Sequence, residues 1–241
     1  MNIMLDDGWE EITKEEMFLD DGYEYKEIEK VTRSSYNKDV SYDSIKKLAD
    51  AGMKQINIHQ VLYKENFDEV ISLIDDVASD ERLQAVNAIV FLAYKPKGTN
   101  AGHFTTIRDV DTYKKLIEHC EARGVNYGFD SCSAPTYIAA IQDRPNRKQL
   151  AEYAESCESS LFSFYINVHG EGFHCSFSEG ERLWKGGGID VLGAEDFVRD
   201  VWNHPLTVKY RNANIYGSKR NPYKDCGDCR ICMIYPSINP W

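Results

Sequence analysis

The stretch Gln84–Tyr94 reads QAVNAIVFLAY, an almost unbroken run of apolar residues. Such a run is typical of a strand that is buried on both faces, as in a parallel sheet covered by helices. The earlier stretch Lys54–Val61 (KQINIHQV) alternates apolar and polar residues, which predicts a second strand. Between them, Asn66–Ala78 has apolar residues at helical spacing, which predicts an amphipathic helix. The three segments together predict a β-α-β unit with parallel strands.

The same alternation continues on both sides of this unit. Upstream, Glu27–Arg33 is a predicted short strand, and Tyr42–Ala51 is a predicted helix that Gly52 ends. Downstream, the predicted elements are a helix at Asp109–Arg123, a strand at Val125–Asp130, and helices at Ala134–Ile141 and Arg147–Ser156. Four β-α units of about 30 residues each predict an α/β fold with parallel strands.

The β-α alternation stops before the last third of the chain. Leu161–Val168 and Phe173–Phe177 are two predicted strands joined by glycine-containing turn residues, which predicts a hairpin. Ala194–Asn203 is a predicted helix that Pro205 is expected to end, and residues 206–241 are expected to be mostly irregular. The predicted organisation is an acidic segment (1–27), an α/β domain (28–156) and a small hairpin-plus-helix domain (157–241).

Cysteines are concentrated in this small domain. Five of the seven lie there: Cys157, Cys175, Cys226, Cys229 and Cys232. The last three form a C-x2-C-x2-C motif, and three thiolates this close repel one another unless a metal neutralises them. A ferredoxin-like run would place a fourth cysteine at position 236, where Pro236 stands, so one of the first two is the expected fourth ligand. With five cysteines present, His169 and His174 are not expected to be ligands.

Both iron–sulfur clusters and zinc accept thiolate ligands. A zinc ribbon usually joins two separate C-x2-C loops, whereas this chain has one triple and one widely split pair. The unequal grouping favours an iron–sulfur cluster, and zinc remains the alternative metal.

Composition and charge argue against several functional classes. The chain has 241 residues and a formal net charge of −11, which is unfavourable for general binding to nucleic acid or to anionic membranes. No apolar run approaches the roughly 20 residues that span a bilayer, and the acidic N-terminal segment is unlike a signal peptide. We therefore expect a cytoplasmic chain, where thiols stay reduced and clustered cysteines indicate metal.

The C-terminal features resemble the SPASM/twitch extension of radical S-adenosylmethionine enzymes. That extension has a cysteine, a hairpin with a glycine before a second cysteine, a helix with Trp-Asn, an arginine and a closing cysteine cluster. This chain has the same order in Cys157–Cys175, Trp202-Asn203, Arg211 and the C-x2-C-x2-C motif. The β-α units before it are similar to the later strands of that family's partial (β/α)6 barrel. The resemblance implies an auxiliary [4Fe–4S] cluster held by four of the five cysteines.

The chain departs from that family in one large respect. The defining C-x3-C-x2-C motif is missing, and no cysteine precedes Cys120. In the family, those three thiolates hold the cluster that cleaves S-adenosylmethionine, so this chain alone is not expected to perform radical chemistry. We expect the C-terminal part of a longer gene product. The alternatives are one half of a split enzyme with a separate N-terminal partner and a non-catalytic relative.

Polar side chains follow the predicted strands, at the ends where parallel sheets and barrels bind ligands. We predict that His59, Lys95 and Lys97 contact S-adenosylmethionine or substrate. The alternatives are a hydrogen-bonded structural histidine and a plain solvated loop. Cys132 is the predicted catalytic residue, as a hydrogen-atom donor to a substrate radical, or else an extra cluster ligand or a packing cysteine.

Two functional hypotheses follow. The first is the C-terminal part of a radical S-adenosylmethionine enzyme with an auxiliary cluster, acting on a peptide or a small molecule. The second is a binding or scaffold protein in which iron–sulfur or zinc only stabilises an irregular domain.

Overall fold

The computed structural model describes residues 2–5, 35–97, 103–155, 157–180 and 184–218. They form a mixed α/β protein with a parallel sheet, a small antiparallel sheet and helices, which confirms the predicted α/β class. The chain divides into two compact units, Met1–Tyr94 with Lys115–Gly128 and Lys95–Lys114 with Phe129–Trp241. The predicted boundary near residue 157 stays a prediction. Every helix in the described part is too short or too polar to cross a membrane.

The main sheet has four strands in the order β1 (Asn2–Leu5), β2 (Ile56–Leu62), β3 (Val86–Ala93) and β4 (Tyr127–Phe129). The β1–β2 and β2–β3 pairs are parallel. Alternate residues of β2 and β3 are buried, including Ile58 and Phe91, and the residues between them are mostly half-buried. This pattern explains why the sequence of β3 is almost continuously apolar: both of its faces are largely covered.

Three helices occupy the connections between these strands. They are α1 (Ser35–Asp50), α2 (Phe67–Ser79) and α3 (Val110–Arg123). The Tyr42 hydroxyl of α1 donates to Asp76 Oδ2 of α2 at 2.8 Å. His119 and Arg123 of α3 both contact Asp75 of α2, at 3.0 and 2.8 Å. The three predicted helices therefore exist. The ends of α2 and α3 lie within one residue of the sequence-based bounds, whereas α1 begins seven residues earlier than predicted.

The first strand differs from the prediction. The sequence indicates no element at residues 2–5, yet β1 forms there and pairs with β2 from Asn2 to Leu5. Four residues are too few to show a period, and an acidic stretch follows them, so the strand has no local signal. The predicted strand at Glu27–Arg33 lies outside the described residues.

The second unit contains the remaining helices and a three-stranded antiparallel sheet. The helices are α4 (Ala134–Ile141), α5 (Arg147–Leu150) and α6 (Pro205–Ser218), and π-helical turns cover Phe197–Trp202. The strands are β5 (Tyr165–Ile166), β6 (Glu171–Phe173) and β7 (Ile189–Asp190), in that order. Phe173, Trp184, Ile189 and Val201 form the buried core of this region. The predicted hairpin is present and its first strand is shorter than expected. The predicted second strand, Phe173–Phe177, is wrong except for Phe173, because β6 uses residues assigned to the turn.

The expectation of an irregular chain after Pro205 is wrong for residues 205–218. Pro205 begins α6 instead of ending the helix before it. Proline suits the first turn of a helix, because its missing N–H would have no partner there. His204 Nδ1 accepts a hydrogen bond from the Leu206 N–H at 3.2 Å, and the Thr207 hydroxyl donates to the Val201 carbonyl at 3.0 Å. These two bonds fix the start of α6 against the preceding turns.

Gly172 of β6 has no room for a side chain. A Cβ atom there would clash with the Phe164 ring and lie 2.9 Å from Val191 Cγ2. Gly172→Ala is therefore expected to lower the free energy of unfolding by about 1–3 kcal/mol, measured by urea denaturation. Gly186→Ala is the matched control, because a Cβ atom at Gly186 meets open space. Equal stability of the two variants would contradict the packing described for the hairpin.

Candidate functional site

A buried ion pair follows the ends of β3 and β4 in the chain. Lys95 Nζ lies 2.9 Å from Asp130 Oδ2, and the two side chains are only 9% and 13% exposed. Lys95 also hydrogen-bonds to Cys132. Burial lowers the pKa of Lys95, but the negative charges of Asp130 and Cys132 outweigh burial and hold it above the usual value. Lys95 is therefore a permanent cation at neutral pH.

The Asp130 carboxylate is fixed from two sides. Its Oδ2 atom accepts from Lys95, and its Oδ1 atom accepts from the Ser133 N–H at 2.7 Å. The Asp130 carbonyl also accepts from the Ala134 N–H at 3.0 Å, which forms the turn that leads into α4. This turn carries Cys132 and sets its position relative to the Lys95 ammonium group.

An aromatic stack adjoins the same turn. The Phe129 ring stacks on Tyr113 and on Tyr137, with ring centroids 5.6 and 4.2 Å apart. All three side chains are buried, and burial raises the pKa of Tyr113 above its usual value. Tyr113 hydrogen-bonds to Ser133, so the stack is connected to the Asp130–Ser133 turn. These contacts join the site to the buried aromatic side chains.

Cys132 is the predicted catalytic residue, and it lies in this site. It is half-buried and hydrogen-bonded to the Lys95 ammonium. A thiolate, not a thiol, is the nucleophile and the metal ligand, and an adjacent cation favours it. The arrangement suits a nucleophile, a sulfur ligand or a source of a hydrogen atom.

Lys97 connects this site to the segment that follows β6. Its ammonium group donates to the Phe177 carbonyl at 3.4 Å and to the Glu179 carbonyl. The Lys95 ammonium lies 4.9 Å from the centroid of the Phe177 ring, a cation–π distance. The same segment includes Cys175, whose carbonyl accepts from the Ser178 hydroxyl at 2.6 Å. Lys95, Asp130 and Cys132, which we call the strand-end cluster, therefore belong to one connected region with Cys175, a predicted metal ligand.

The three residues predicted to contact a cofactor or substrate differ in their surroundings. Lys95 is bonded to Asp130 and Cys132, and Lys97 is bonded to backbone carbonyls. His59 lies within β2, not at its end, and is half-buried in the other compact unit. The two lysines thus have structural partners, and their roles towards a ligand stay predictions.

The predicted metal ligands are only partly described. Cys157 and Cys175 are reduced, half-buried thiols in the second unit. Cys226, Cys229 and Cys232 lie outside the described residues. Within the described ranges, no group of three or more His, Cys, Asp or Glu side chains is arranged to hold a metal ion. The metal-site prediction therefore depends on the C-x2-C-x2-C motif.

Arg211 of α6 joins two other parts of the C-terminal pattern. Its Nε donates to the Ser160 carbonyl at 2.6 Å, and its Nη2 donates to the Trp202 carbonyl at 2.9 Å. The guanidinium also lies 4.8 Å from the centroid of the Trp202 ring. Ser160, three residues after Cys157, has a positive φ of 59°, which is uncommon outside glycine. Arg211 therefore holds the turn that follows Cys157 against the π-helical turns.

His174 occupies an unusual position that the sequence does not reveal. It is fully buried, and its ring stacks on Trp184 and Tyr210 with centroids 5.6 and 3.2 Å apart. Burial lowers the pKa of His174 to about 3, so the ring is neutral. Neither ring nitrogen has a hydrogen-bond partner among the described residues. A buried polar atom without a partner costs about 1–3 kcal/mol, so such atoms are rare.

Comparison of the chain with protein-family models, with curated proteins and with solved structures finds no match in any of the three.

Proposed function

We propose that this chain is the C-terminal part of a radical S-adenosylmethionine enzyme and that it holds an auxiliary [4Fe–4S] cluster. The observation that carries the proposal is the set of Arg211 contacts. The resemblance includes a cysteine before a hairpin, a Trp-Asn helix and an arginine, in that order along the chain. In the structure, Arg211 donates hydrogen bonds to the carbonyl of Ser160, three residues after Cys157, and to the carbonyl of Trp202 in the Trp-Asn pair. These elements are thus parts of one local structure, although they are distant in sequence.

The available donors suit an iron–sulfur cluster. Thiolates are the usual ligands of [4Fe–4S] clusters, and two half-buried thiols lie at either side of the hairpin. The C-x2-C-x2-C motif supplies three more, so that Cys226, Cys229 and Cys232 with one further residue would hold the cluster. When bound, such a cluster supplies one-electron transfer or an iron atom that binds substrate. The chain's own residues would fix its position and exclude water from it.

The strand-end cluster supports an active site beside this module. In parallel α/β folds and barrels, ligands bind at the carboxyl ends of the strands, and Lys95, Asp130 and Cys132 follow two such ends. The parallel sheet with helices in its connections agrees with part of a (β/α) barrel. In this proposal Cys132 faces a peptide or small-molecule substrate, and Lys95 orients its sulfur through their hydrogen bond. Binding and cleavage of S-adenosylmethionine belong to the part that carries the C-x3-C-x2-C motif.

One observation favours the alternative, a metal-stabilised binding protein. Phe162, Val168 and Leu192 are 80%, 95% and 81% exposed, and all three lie in or beside the antiparallel sheet. Exposed apolar side chains that lie together mark surfaces for partners. In this alternative the metal, iron–sulfur or zinc, stabilises the sheet region and Cys132 has no chemical role.

Metal analysis of anaerobically purified chain tests the proposal. We expect about four iron and four sulfide per chain, with the absorption and EPR spectra of a [4Fe–4S] cluster. Replacing Cys226, Cys229 and Cys232 together by serine is expected to remove the iron. Cys120→Ala is the control, because Cys120 is buried in α3, in the other compact unit, and should leave the iron content unchanged. Stoichiometric zinc without sulfide, or iron that persists in the triple variant, would contradict the assignment.

A further inference from the structure

Exposed apolar side chains are concentrated around the antiparallel sheet. Among the described residues, eight large apolar side chains are exposed, and six of them lie between residues 162 and 198: Phe162, Ile166, Val168, Leu192, Phe197 and Val198. Single exposed apolar residues are ordinary on a protein surface, whereas several that lie together are typical of a binding surface.

Two of these side chains lie at the turn of the β5–β6 hairpin. Leu192 lies directly over Gly170, where a Cβ atom would clash with it. The Val191 N–H donates to the Gly170 carbonyl at 2.9 Å, which holds the segment of Leu192 against the hairpin. Val168 belongs to the same turn as Gly170 and is the most exposed of the six. This end of the sheet therefore presents two aliphatic side chains to solvent.

Phe164 joins this end of the sheet to the π-helical turns. A Cβ atom on Gly172 would meet both Phe164 and Val191, so these two side chains lie together over β6. The Phe164 ring also contacts the Phe197 ring edge-on, with centroids 6.2 Å apart. The exposed side chains thus extend from the hairpin turn to the π-helical turns. We call four of them the hairpin face: Val168, Leu192, Phe197 and Val198.

The charge beside the hairpin face is negative. Residues 189–200 hold four carboxylates and one cation, Arg199, so their formal net charge is −3. The Arg199 guanidinium is already paired, since its Nη2 atom lies 2.7 Å from Asp200 Oδ2 and 3.4 Å from Glu195 Oε2. A partner that covers this face must therefore supply positive charge. An acidic partner is repelled, and a second copy of the same face is repelled for the same reason.

Two of the carboxylates are accessible beside Leu192. Asp190 is exposed, and its Oδ1 atom accepts from the Gly193 N–H at 2.9 Å in the turn that presents Leu192. The side chain of Glu195, three residues further on, is 89% exposed. Apolar and ionic contacts are thus offered within one short stretch of surface, which suits a short segment that carries both kinds of side chain.

We propose that the hairpin face binds a cationic peptide segment in which lysine or arginine residues accompany apolar residues. The apolar side chains of the segment would cover Val168 and Leu192, and its cations would meet Asp190 and Glu195. The inference does not rest on the proposed metal function, because the residues that carry it all lie in the described part of the chain and none is a predicted metal ligand.

Fluorescence anisotropy with a labelled peptide of alternating lysine and leucine tests the proposal on the full, anaerobically purified chain. We expect saturable binding that weakens at high ionic strength, and no binding of peptides with glutamate for lysine or serine for leucine. Val168→Ser is expected to weaken binding about tenfold. Val40→Ser makes the same change at an exposed valine of α1, in the other compact unit, and should leave binding unchanged.

A second variant tests the ionic part. Asp190→Asn combined with Glu195→Gln removes two charges and keeps an oxygen that can accept from the Gly193 N–H. We expect binding to weaken about fivefold at low ionic strength, with a smaller dependence on salt. Unchanged affinity in this variant would contradict the proposed role of the carboxylates.

Several results would overturn the proposal as a whole. Absence of binding, equal binding of the lysine and glutamate peptides, or equal losses in Val168→Ser and Val40→Ser would each do so. A dimer of the chain that Val168→Ser dissociates, seen by sedimentation velocity, would make a second copy the occupant. A loss of stability in Val168→Ser as large as that of a core truncation would mean that the chain itself covers the face. The iron or zinc content of the chain has no bearing on these outcomes.

Discussion

Lys95→Met is expected to lower the free energy of unfolding by about 3–5 kcal/mol, since it leaves the Asp130 carboxylate buried without its cation. The partners are 2.9 Å apart, and neither side chain is more than 13% exposed. Removal of one partner from a buried pair costs more than the pair itself contributes, because the remaining charge loses both water and its partner. Urea denaturation of the anaerobically prepared chain measures the effect.

Two control variants separate this explanation from a general loss of packing. In Lys95→Met with Asp130→Asn, the charge is removed and the amide oxygen can still accept from the Ser133 N–H. This double variant is expected to recover most of the lost stability. Lys46→Met removes one partner of an ion pair whose side chains are 50% and 66% exposed, and we expect a change below about 0.5 kcal/mol. If Lys95→Met costs no more than Lys46→Met, the pair is not buried as described.

Phe129→Ala is expected to cost about 3–5 kcal/mol, as large truncations in a core do. The ring is 1% exposed and stacks on both Tyr113 and Tyr137. Its loss would leave a cavity beside the turn that carries Asp130, so the variant should also change the reaction rate of Cys132 with iodoacetamide. Thermal or urea unfolding gives the first quantity, and alkylation followed by mass spectrometry gives the second.

Phe162→Ala is the matched control, because it removes the same ring from a position that is 80% exposed. A change within about 0.5 kcal/mol is expected there. A cost at Phe162 similar to that at Phe129 would mean that the exposed ring is covered in solution, as the binding-protein alternative requires.

The main elements of the fold could be predicted because their signals are local. The apolar run of β3 and the helical spacing of α2 each lie within one stretch of sequence. The predicted helix Ala134–Ile141 coincides with α4. Elements whose stability comes from distant partners could not be predicted. Asn2–Leu5 becomes a strand because it pairs with β2. Pro205 can begin a helix because His204 and Val201 accept hydrogen bonds from the next two residues, Leu206 and Thr207.

In the candidate site too, residues with a local sequence signal could be predicted, and contacts between distant residues could not. Strand-end reasoning selects Lys95 and Cys132, and the structure brings these two residues together with Asp130. The sequence could not predict the ion pair between Lys95 and Asp130. The two residues are 35 positions apart, and their bond depends on how the ends of β3 and β4 pack. The His174 ring stacks on Trp184 and Tyr210, which belong to two other segments, so no short motif could reveal its burial.

The pairing of β1 with β2 has a consequence for the order in which the chain folds. Asn2 is in register with Asn57, whereas Ile58 of β2 is in register with Ile89 of β3, a much shorter separation. Closing the longer loop costs more chain entropy, and contacts between distant residues slow folding. The β2–α2–β3 unit can therefore form first and present an edge, to which β1 adds late. During synthesis the earliest residues of this sheet to leave the ribosome would therefore wait for β2 and β3 before they join it.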